Sequence, residues 1–225
     1  MSGKPIVVLG AGGQARETRW LIESINQVTP TYDFLGYVIS NPSSVTSTDS
    51  REELLGGYDW LEEHSQDVAC AAIGIGTPTS RNKVASELAK RFAWLETPTL
   101  IHPSAIFDRS SASLGTGILI AAGFVGTVNL EVDDFSLLNF GSTCGHEARV
   151  GKGTVVNPGA GIGGGVTLGG GVLVGSGAQV LQYRSVGDGA TIGSGAVVTR
   201  DVAAGETVVG VPARPRPRHQ SEHDD

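Results

Sequence analysis

The sequence predicts an α/β domain followed by an all-β domain, and two patterns indicate this division. In the second half, an apolar residue recurs at every sixth position from Leu114 to Val198, with Gly126 as the one exception. A six-residue period of aliphatic residues is typical of a parallel β-helix. In the first hundred residues, short apolar runs alternate with segments of helical spacing. Such alternation is typical of a domain in which helices cover a parallel sheet.

The first domain, predicted over residues 1–101, has the element order of a Rossmann-like βαβαβ unit. Each predicted strand is a short aliphatic run, and each predicted helix carries apolar residues at helical spacing. This order is typical of mononucleotide-binding domains. Strands are predicted at Pro5–Leu9, Asp33–Ser40, Val68–Ile75 and Thr99–Ile101, and helices at Ala15–Gln27, Leu54–His64 and Pro78–Phe92.

The second domain is predicted over residues 102–214, followed by a polar tail over residues 215–225. If each repeat forms one short strand and one corner, three repeats make a coil of 18 residues. Residues 18 apart then form ladders, with coils stacked about 4.8 Å apart. A helical alternative is disfavoured because each glycine would destabilise a helix by up to ~1 kcal/mol. Residues 114–202 hold roughly five coils, and one expected ladder is Cys144, Ile162, Val180 and Val198.

Composition and charge narrow the classes of function. The 225-residue chain has a net charge of −7, which argues against a nucleic acid bound through a general basic surface. No apolar run is long enough to span a bilayer and no signal peptide is evident, so we expect no membrane partner and a cytoplasmic location. Cys70 and Cys144 occupy apolar positions and are expected to be buried structural residues, not a disulfide or metal pair.

The segment Gly10-Ala11-Gly12-Gly13-Gln14-Ala15 matches a dinucleotide-binding pattern between a predicted strand and a helix. A helix N-terminus in this context can receive a phosphate group. A redox dinucleotide site would place an acidic residue at the end of the second strand, where this chain has Ser40 and Asn41. The pattern therefore favours a nucleotide-linked ligand over a redox cofactor. A loop that is glycine-rich only to make a tight turn remains the alternative.

The dipeptide His146-Glu147 is the candidate catalytic centre of the repeat half. His146 is the only histidine between residues 103 and 218, so a zinc site built from several histidines lacks ligands and no metal is expected. A neutral imidazole can accept a proton from an attacking amine or hydroxyl. Glu147 is the nearest carboxylate that could orient it, although adjacent residues on a flat strand point to opposite faces. A histidine of this kind can also be an ordinary polar surface residue.

Several motifs together resemble one enzyme family over nearly the whole chain. The resemblance is to bacterial sugar acetyltransferases that join a small nucleotide-binding domain to a left-handed β-helix. This group includes nucleotide-aminosugar N-acetyltransferases and sialic acid O-acetyltransferase-like proteins. The motifs are Val7–Gly13, Ala72–Gly76 with Arg81, His102–Ala105, Asn139, Gly145–Glu147, Asn157–Ala160, Ile192–Val198 and Val209–Arg214.

The resemblance implies a homotrimer in which acetyl-CoA, as co-substrate, lies between neighbouring β-helices. It also implies that His146 is the general base, with Glu147 beside it. The residues that it assigns to the nucleotide-linked sugar are Gly10, Gly12, Gly13, Gln14, Ser40, Asn41, Gly76, Arg81 and Asn139. Those expected to bind CoA are Asn157, Gly159, Gly161, Gly163 and Arg214, with Arg214 at the CoA phosphates.

The chain departs from the family pattern at a few positions. Gln14 stands where a histidine is frequent, and Ser40 and Asn41 stand where acidic residues are frequent. Val155 replaces a second histidine that often follows the catalytic one by nine residues, and Val211 replaces an asparagine. The departures at Gln14 and at Ser40 and Asn41 leave the identity of the acceptor molecule open.

The predicted function is direct transfer of acetyl from acetyl-CoA to the amino group of a nucleotide-linked aminosugar, in glycan biosynthesis. No Ser-His-Asp pattern is evident, so no covalent intermediate is expected. Three alternatives remain: acetylation of a sugar hydroxyl, acylation of a small molecule without a nucleotide, and a non-catalytic nucleotide-binding β-helix module.

Overall fold

The computed structural model describes residues 3–40 and 51–216. In order, the first part contains β1 (Lys4–Leu9), α1 (Gly13–Val28), β2 (Tyr32–Val38), a 3-10 turn (Arg51–Glu53), β3 (Leu54–Gly56), α2 (Tyr58–Glu63), β4 (Cys70–Ile73) and α3 (Pro78–Arg91). Its strands pair in parallel in the order β3-β2-β1-β4. The carboxyl ends of β1, β2 and β4 therefore meet at one edge of the sheet.

The central strand β1 is buried on both sides because its side chains alternate between two layers. Val8 belongs to the same buried cluster as Ile22 of α1, whereas Val7 belongs to a cluster with Leu61 of α2 and Leu88 of α3. Helices thus cover both faces of the sheet, as the alternating pattern predicts.

The helix predicted over Leu54–His64 is wrong in its first half. Leu54 pairs with Tyr37 as part of β3, and α2 begins only at Tyr58. Gly56 has φ +145, and a Cβ there would lie 2.8 Å from the Cβ of Trp60. The chain needs glycine to turn from strand to helix, and a helix of six residues gives a weak periodic pattern.

The second part is a stack of short parallel strands arranged in three sheets. Successive strands of a sheet pair residues 18 apart, as in Thr143 with Gly161 and Cys144 with Ile162, so the predicted 18-residue coil is confirmed. We name the three sheets the domain face, the groove face and the polar face. The domain face contains Leu100–Ile101, Leu119–Ile120, Leu137–Leu138, Val155–Val156, Leu173–Val174, Thr191–Ile192, Thr207–Val209 and Arg214–Pro215. The groove face contains Val125–Gly126, Thr143–Cys144, Gly161–Ile162, Gln179–Val180 and Val197–Val198, and the polar face contains Ser113–Leu114, Glu131–Val132, Arg149–Val150, Thr167–Leu168 and Ser185–Val186.

The predicted six-residue series forms the interior of this stack. The second residue of each short strand points inward, and the ladder Cys144, Ile162, Val180 and Val198 is the buried column of the groove face. Cys144 and Cys70 are buried free thiols, and burial raises the pKa of the Cys144 thiol to about 12. Such a thiol is inert at neutral pH, which agrees with the structural role predicted for it.

Each coil turns at three corners through a residue with left-handed φ, and the corners differ in composition. The glycine corner, between the domain and groove faces, uses Gly123, Gly141, Gly159, Gly177 and Gly195. The histidine corner, between the groove and polar faces, uses Asn129, Glu147, Gly165 and Tyr183. The domain corner, between the polar and domain faces, uses Gly117, Phe135, Gly153, Gly171 and Gly189.

The first part of the chain packs on the domain face. Leu119, Leu137 and Val155 point outward from this face, yet they are fully buried in one cluster with Leu21 and Ile22 of α1. Val155 is therefore an interdomain packing residue in this chain. Since a prism has three faces, the histidine corner is the corner opposite the docked domain.

The predicted domain boundaries remain predictions, although two observations bear on them. Leu100–Ile101 pairs with Leu119–Ile120 in the domain face, so this sheet begins just before residue 102. Arg214–Pro215 pairs antiparallel with Thr207–Val209, and residues 217–225 of the predicted tail lie outside the described residues. Among the helices of the described residues, none has the length and apolar character needed to cross a membrane.

Candidate functional site

An open cavity in the first part lies where the strands of its sheet end. Its volume is about 440 Å³, and the loops after β1, β2 and β4 line it. The predicted residues that line the cavity are Gly10, Gly12, Gly13, Gln14, Ser40 and Gly76, while Asn41 lies outside the described residues.

Two helix N-termini border this cavity. The first turn of α1 contributes Gly13 and Gln14, and the N-terminal end of α3 contributes Thr77 and Ser80. Within the described chain, neither helix has a side-chain cap on its N-cap residue or an acidic residue in its first turn. The partial positive charge of both helix ends is therefore available to an anion, and phosphate groups are typical ligands of such ends.

Gly10 is required by the loop itself. It has φ +122, and a Cβ at this position would lie 2.8 Å from the carbonyl oxygen of Gly74. The close approach of these two loops brings the ends of β1 and β4 together beneath the cavity. Gly12 differs, because a Cβ there would meet no atom within 4 Å. Its small size keeps the cavity open beside the N-terminus of α1.

The wall of the cavity near the end of β2 is formed by Ser40 and Tyr58. Burial raises the pKa of the Tyr58 hydroxyl, and a side-chain hydrogen bond with Ser40 acts in the opposite direction. Together the two hydroxyls offer polar partners for a sugar or base at the place where the family has acidic residues. Tyr58 was not among the predicted site residues, because a helix predicted from Leu54 does not bring it to the edge of the sheet.

A second, smaller cavity of about 90 Å³ lies between α1 and the β-helix and shares Gln14 with the first. Trp20 of α1 lines it from one side, and His102, Asn139 and Phe140 line it from the β-helix. Asn139, predicted to bind substrate, is 5% exposed, and its Oδ1 accepts a hydrogen bond of 2.9 Å from the Phe140 N–H. Gln14 is thus the lining residue common to a cavity at the ends of the strands and a cavity that reaches Phe140 at the glycine corner.

Arg81 does not bind substrate as predicted, and this expectation is corrected. Its side chain is 0% exposed, which leaves no surface for a ligand. The guanidinium donates hydrogen bonds to the carbonyl oxygens of Ile73 and Ile75 in the first part and of Gly117 and Phe135 in the domain corner. Burial lowers the pKa of Arg81 to about 9, so the group is still charged at pH 7. Arg81 therefore joins the loop below the first cavity to the β-helix.

His146 and Glu147 lie in a turn of the histidine corner and not on a flat strand, which corrects the expected orientation. Glu147 has φ +60, and its Oε2 lies 3.7 Å from His146 Nδ1. Both side chains are accessible, with 44% of His146 and 60% of Glu147 exposed. The left-handed backbone at Glu147 thus brings onto one side two side chains that a strand would separate. The imidazole also packs against Gly164, where a Cβ would lie 2.6 Å from His146 Cε1.

An open groove of about 630 Å³ runs along the groove face. Gly161 and Gly163 line it as predicted, together with Leu181 and Tyr183 at the histidine corner. A Cβ at Gly163 would lie 2.7 Å from the Gln182 backbone nitrogen, so this glycine is also needed for close stacking of coils. The structure does not bring the other residues expected to bind CoA into this groove. Asn157 and Gly159 lie at the glycine corner, and Arg214 lies in the last described strand.

The described residues contain no group of three or more His, Cys, Asp and Glu side chains arranged to hold a metal ion. The described site residues supply an imidazole, a carboxylate, two helix ends and a groove lined in part by glycine.

Comparison with known proteins gives structural relatives only. No protein-family model matches the chain, and no curated protein matches it. Three solved structures align with nearly all of it. PerB from Caulobacter crescentus, in complex with CoA and GDP-perosamine, is 26% identical, with 96% of this chain and 98% of that chain covered and a TM-score of 0.82.

Two other solved structures also align with nearly the whole chain. The acetyltransferase domain of PglB from Neisseria gonorrhoeae FA1090 is 26% identical, with 95% of this chain and 100% of that chain covered and a TM-score of 0.83. WeeI from Acinetobacter baumannii AYE is 27% identical, with 95% of this chain and 100% of that chain covered and a TM-score of 0.80. These structures confirm the family resemblance that the motifs predict.

Proposed function

We propose that this chain is an acetyl-CoA-dependent N-acetyltransferase that acts on the amino group of a nucleotide-linked aminosugar. The observation that carries the proposal is the similarity, over nearly the full length of both chains, to a protein whose structure contains CoA and GDP-perosamine. A related structure of that protein is described as a GDP-perosamine N-acetyl transferase. The cavities and the accessible His146 of this chain supply a place for each reactant.

The first cavity is the proposed site of the nucleotide. Two positive helix ends suit a diphosphate, and Gly12 and Gly13 leave the backbone of α1 open to it. Ser40 and Tyr58 then face the nucleoside. Gln14 borders both cavities, so a sugar attached to the diphosphate would extend past Gln14 toward Asn139 and the glycine corner. In this way a Rossmann-like domain binds the acceptor.

His146 is the proposed general base. The acceptor nitrogen attacks the thioester carbonyl, so that a C–N bond forms and the C–S bond breaks. The nitrogen gives its proton to the neutral imidazole, and the imidazole then supplies a proton to the CoA thiolate. Glu147, 3.7 Å from Nδ1, is placed to stabilise the imidazolium that forms in between.

The groove face is the proposed site of the CoA thioester. Gly161 and Gly163 lack side chains that would stand between the pantetheine arm and the backbone. The groove ends at the corner that carries His146, which is where the thioester carbonyl must lie. Asn157, Gly159 and Arg214 retain a proposed role in binding CoA only on a neighbouring copy, since in one chain they lie outside this groove.

A complete site requires two copies of the chain. The first part of the chain docks on the domain face, so the body of the β-helix separates His146 from the first cavity of the same chain. A neighbouring copy with its histidine corner beside the glycine corner would bring its own His146 to the sugar. Apolar side chains that remain exposed on the groove face and its two corners suit such an interface: Ile106, Val125, Val128, Phe140, Leu181 and Tyr183. The proposed assembly is a homotrimer of left-handed β-helices, as the family resemblance implies.

The experiment that tests the function is release of free thiol from acetyl-CoA in the presence of a panel of nucleotide-linked 3-amino and 4-amino sugars. Wild type and His146→Ala are compared, with His64→Gln as a control because His64 follows the last residue of α2 and contacts Trp60. We expect turnover with at least one sugar in wild type and the control, and a loss of ~10²–10⁴-fold in His146→Ala. Absence of turnover with every sugar, in protein that binds acetyl-CoA, would contradict the proposed acceptor.

A further inference from the structure

Tyr183 occupies a backbone position at which most corners of this β-helix have glycine. Its φ is +57, in the left-handed region that a bulky side chain rarely adopts. The equivalent residue one coil earlier is Gly165, with φ +64. The Tyr183 N–H donates to the Gly164 carbonyl over 2.9 Å, and the Gly165 N–H donates to the His146 carbonyl over 2.7 Å. Glycine therefore makes the same turn with the same hydrogen bond.

Packing within the chain does not account for a tyrosine here. The residue is 63% exposed, so its ring gives little of the stabilisation that burial of an aromatic side chain provides. Strained residues of this kind persist where function requires their side chains. The location of the ring shows which function this could be.

The Tyr183 ring lies beside the imidazole of His146. A Cβ at Gly165 would be 2.6 Å from Tyr183 Cε1, and a Cβ at Gly164 would be 2.6 Å from His146 Cε1. Each ring thus packs against one of two consecutive glycines from opposite sides along the coil axis. The two ring centroids are 6.4 Å apart, with an interplanar angle of 60°. This separation is within the range of edge contacts between aromatic rings.

Tyr183 also lines the groove, together with Gly161 and Gly163. Among the described residues, Tyr183 is the only aromatic one in the lining of this groove, and it lies at the end of the groove toward the histidine corner. Because the Tyr183 ring lines the groove and also lies beside the imidazole, a thioester in the groove with its carbonyl carbon at His146 would lie close to this ring.

We infer that Tyr183 determines acyl-group specificity by narrowing the groove at its His146 end, so that acetyl fits and longer acyl chains do not. The inference rests on the proposed function, because it requires that the groove hold an acyl-CoA thioester. Carbon atoms beyond the acetyl methyl group would overlap the ring or displace it. Discrimination by the shape of an apolar wall is worth roughly 10–200-fold for each methylene group.

The test compares the affinities of acetyl-CoA and butyryl-CoA for wild type, Tyr183→Gly, Tyr183→Phe and Asn129→Gly by isothermal titration calorimetry. Binding needs no acceptor, so the outcome does not depend on the sugar. Asn129 is the matched control, because it occupies the same corner position with φ +56 and does not line the groove. Tyr183→Gly should fold, since glycine suits this backbone, and its thermal midpoint should equal or exceed that of wild type.

The expected result is that Tyr183→Gly raises the affinity for butyryl-CoA relative to acetyl-CoA by about tenfold or more. Tyr183→Phe and Asn129→Gly should keep the wild-type ratio within about twofold, because the ring and not the hydroxyl forms the wall. An unchanged ratio in Tyr183→Gly would overturn the inference, as would an equal gain in Tyr183→Phe. If wild type binds both thioesters but transfers acetyl to no sugar, the proposed function fails while the ratio still decides the role of Tyr183.

Discussion

The glycine corner and the histidine corner of the β-helix make the same turn from different residues. At the glycine corner the left-handed position is glycine in successive coils, from Gly123 to Gly195. At the histidine corner the same position holds Asn129, Glu147 and Tyr183 as well as a glycine. For residues other than glycine, and to a lesser degree asparagine, this conformation costs roughly 1–2 kcal/mol. The side chains of Glu147 and Tyr183 are largely exposed, so packing does not offset that cost.

The domain corner shows what a structural reason for such a residue looks like. Phe135 has φ +57, but its carbonyl accepts a hydrogen bond from buried Arg81 and its ring packs against the core of the first part. Its unusual conformation is thus tied to the contact between the two parts of the chain. Glu147 and Tyr183 have the same left-handed backbone as Phe135 but make no comparable contacts within the described part of the chain. Because they lie at the corner that carries His146, we interpret them as residues of the functional surface.

The largest effect on stability is expected from Arg81→Met, which tests the structural explanation of Phe135. Removal of the guanidinium takes away a hydrogen-bond donor from each of four backbone carbonyl groups. The free energy of unfolding should therefore fall by about 2–4 kcal/mol. Urea denaturation measures this, with Lys83→Met on the exposed side of α3 as the control. If Arg81→Met were as stable as the control, the hydrogen bonds would not explain the strained residue.

A smaller loss is expected when the glycine corner is given a side chain. Gly141→Ala places a methyl group in open space, since no atom lies within 4 Å of the new Cβ. Only the left-handed φ of +63 then opposes it, and the free energy of unfolding should fall by about 1 kcal/mol. Chemical denaturation of Gly141→Ala checks this, and a neutral result would remove the energetic basis of the comparison between corners.

At the histidine corner, replacement of a left-handed residue by glycine should raise stability and lower activity. Glu147→Gly relieves the left-handed conformation, so the free energy of unfolding should rise by up to ~1 kcal/mol. The same variant removes the carboxylate 3.7 Å from His146 Nδ1, so kcat should fall. Denaturation and steady-state kinetics on one preparation measure both effects. A variant that lost stability and kept its kcat would show that Glu147 serves the fold and not the reaction.

The smallest effect concerns the pH dependence of stability through His102, which lines the second cavity beside α1. Burial lowers the pKa of His102, and its Nδ1 accepts a hydrogen bond of 3.1 Å from the Ser104 N–H. Because the folded-state pKa lies below the unfolded value, stability is fully present above about pH 6.5 and is lost as the pH falls through the folded-state pKa.

His102→Asn removes this titration. Between pH 7.5 and pH 5 its melting temperature should fall less than that of wild type, as measured by differential scanning calorimetry at a series of pH values. Equal slopes for the two proteins would mean that His102 does not titrate differently in the folded and unfolded states.

The sequence predicted the β-helix well because its information is local and periodic. A buried aliphatic residue every six positions, such as Ile162 and Leu168, defines the inward column of each face without knowledge of the rest of the chain. The outward residues Leu119, Leu137 and Val155 gave no such signal. They are buried by the docked domain, and docking depends on tertiary contacts that a periodic pattern does not encode.

The candidate site was predicted in part for the same reason. The glycine loop after β1 carries a local motif, and its residues line the first cavity. Arg81 carried a family motif as well, but its burial depends on carbonyl groups distant in sequence, at Gly117 and Phe135. The orientation of Glu147 was missed because its left-handed φ belongs to the corner, and residue identity alone predicts an extended strand there.

The central claim is that a complete site joins the nucleotide cavity of one copy to His146 of another, and co-expression of two inactive variants tests it most directly. Gly12→Asp places a carboxylate at the N-terminus of α1 in open space, where it should repel a diphosphate without disturbing the fold. His146→Ala removes the base and leaves the cavity intact. If the two chains assort at random in one oligomer, about a quarter of the sites combine a sound cavity with a sound His146, and about a quarter of wild-type turnover should return. Mixed oligomers, isolated through two affinity tags, that show no more activity than either variant alone would contradict the account.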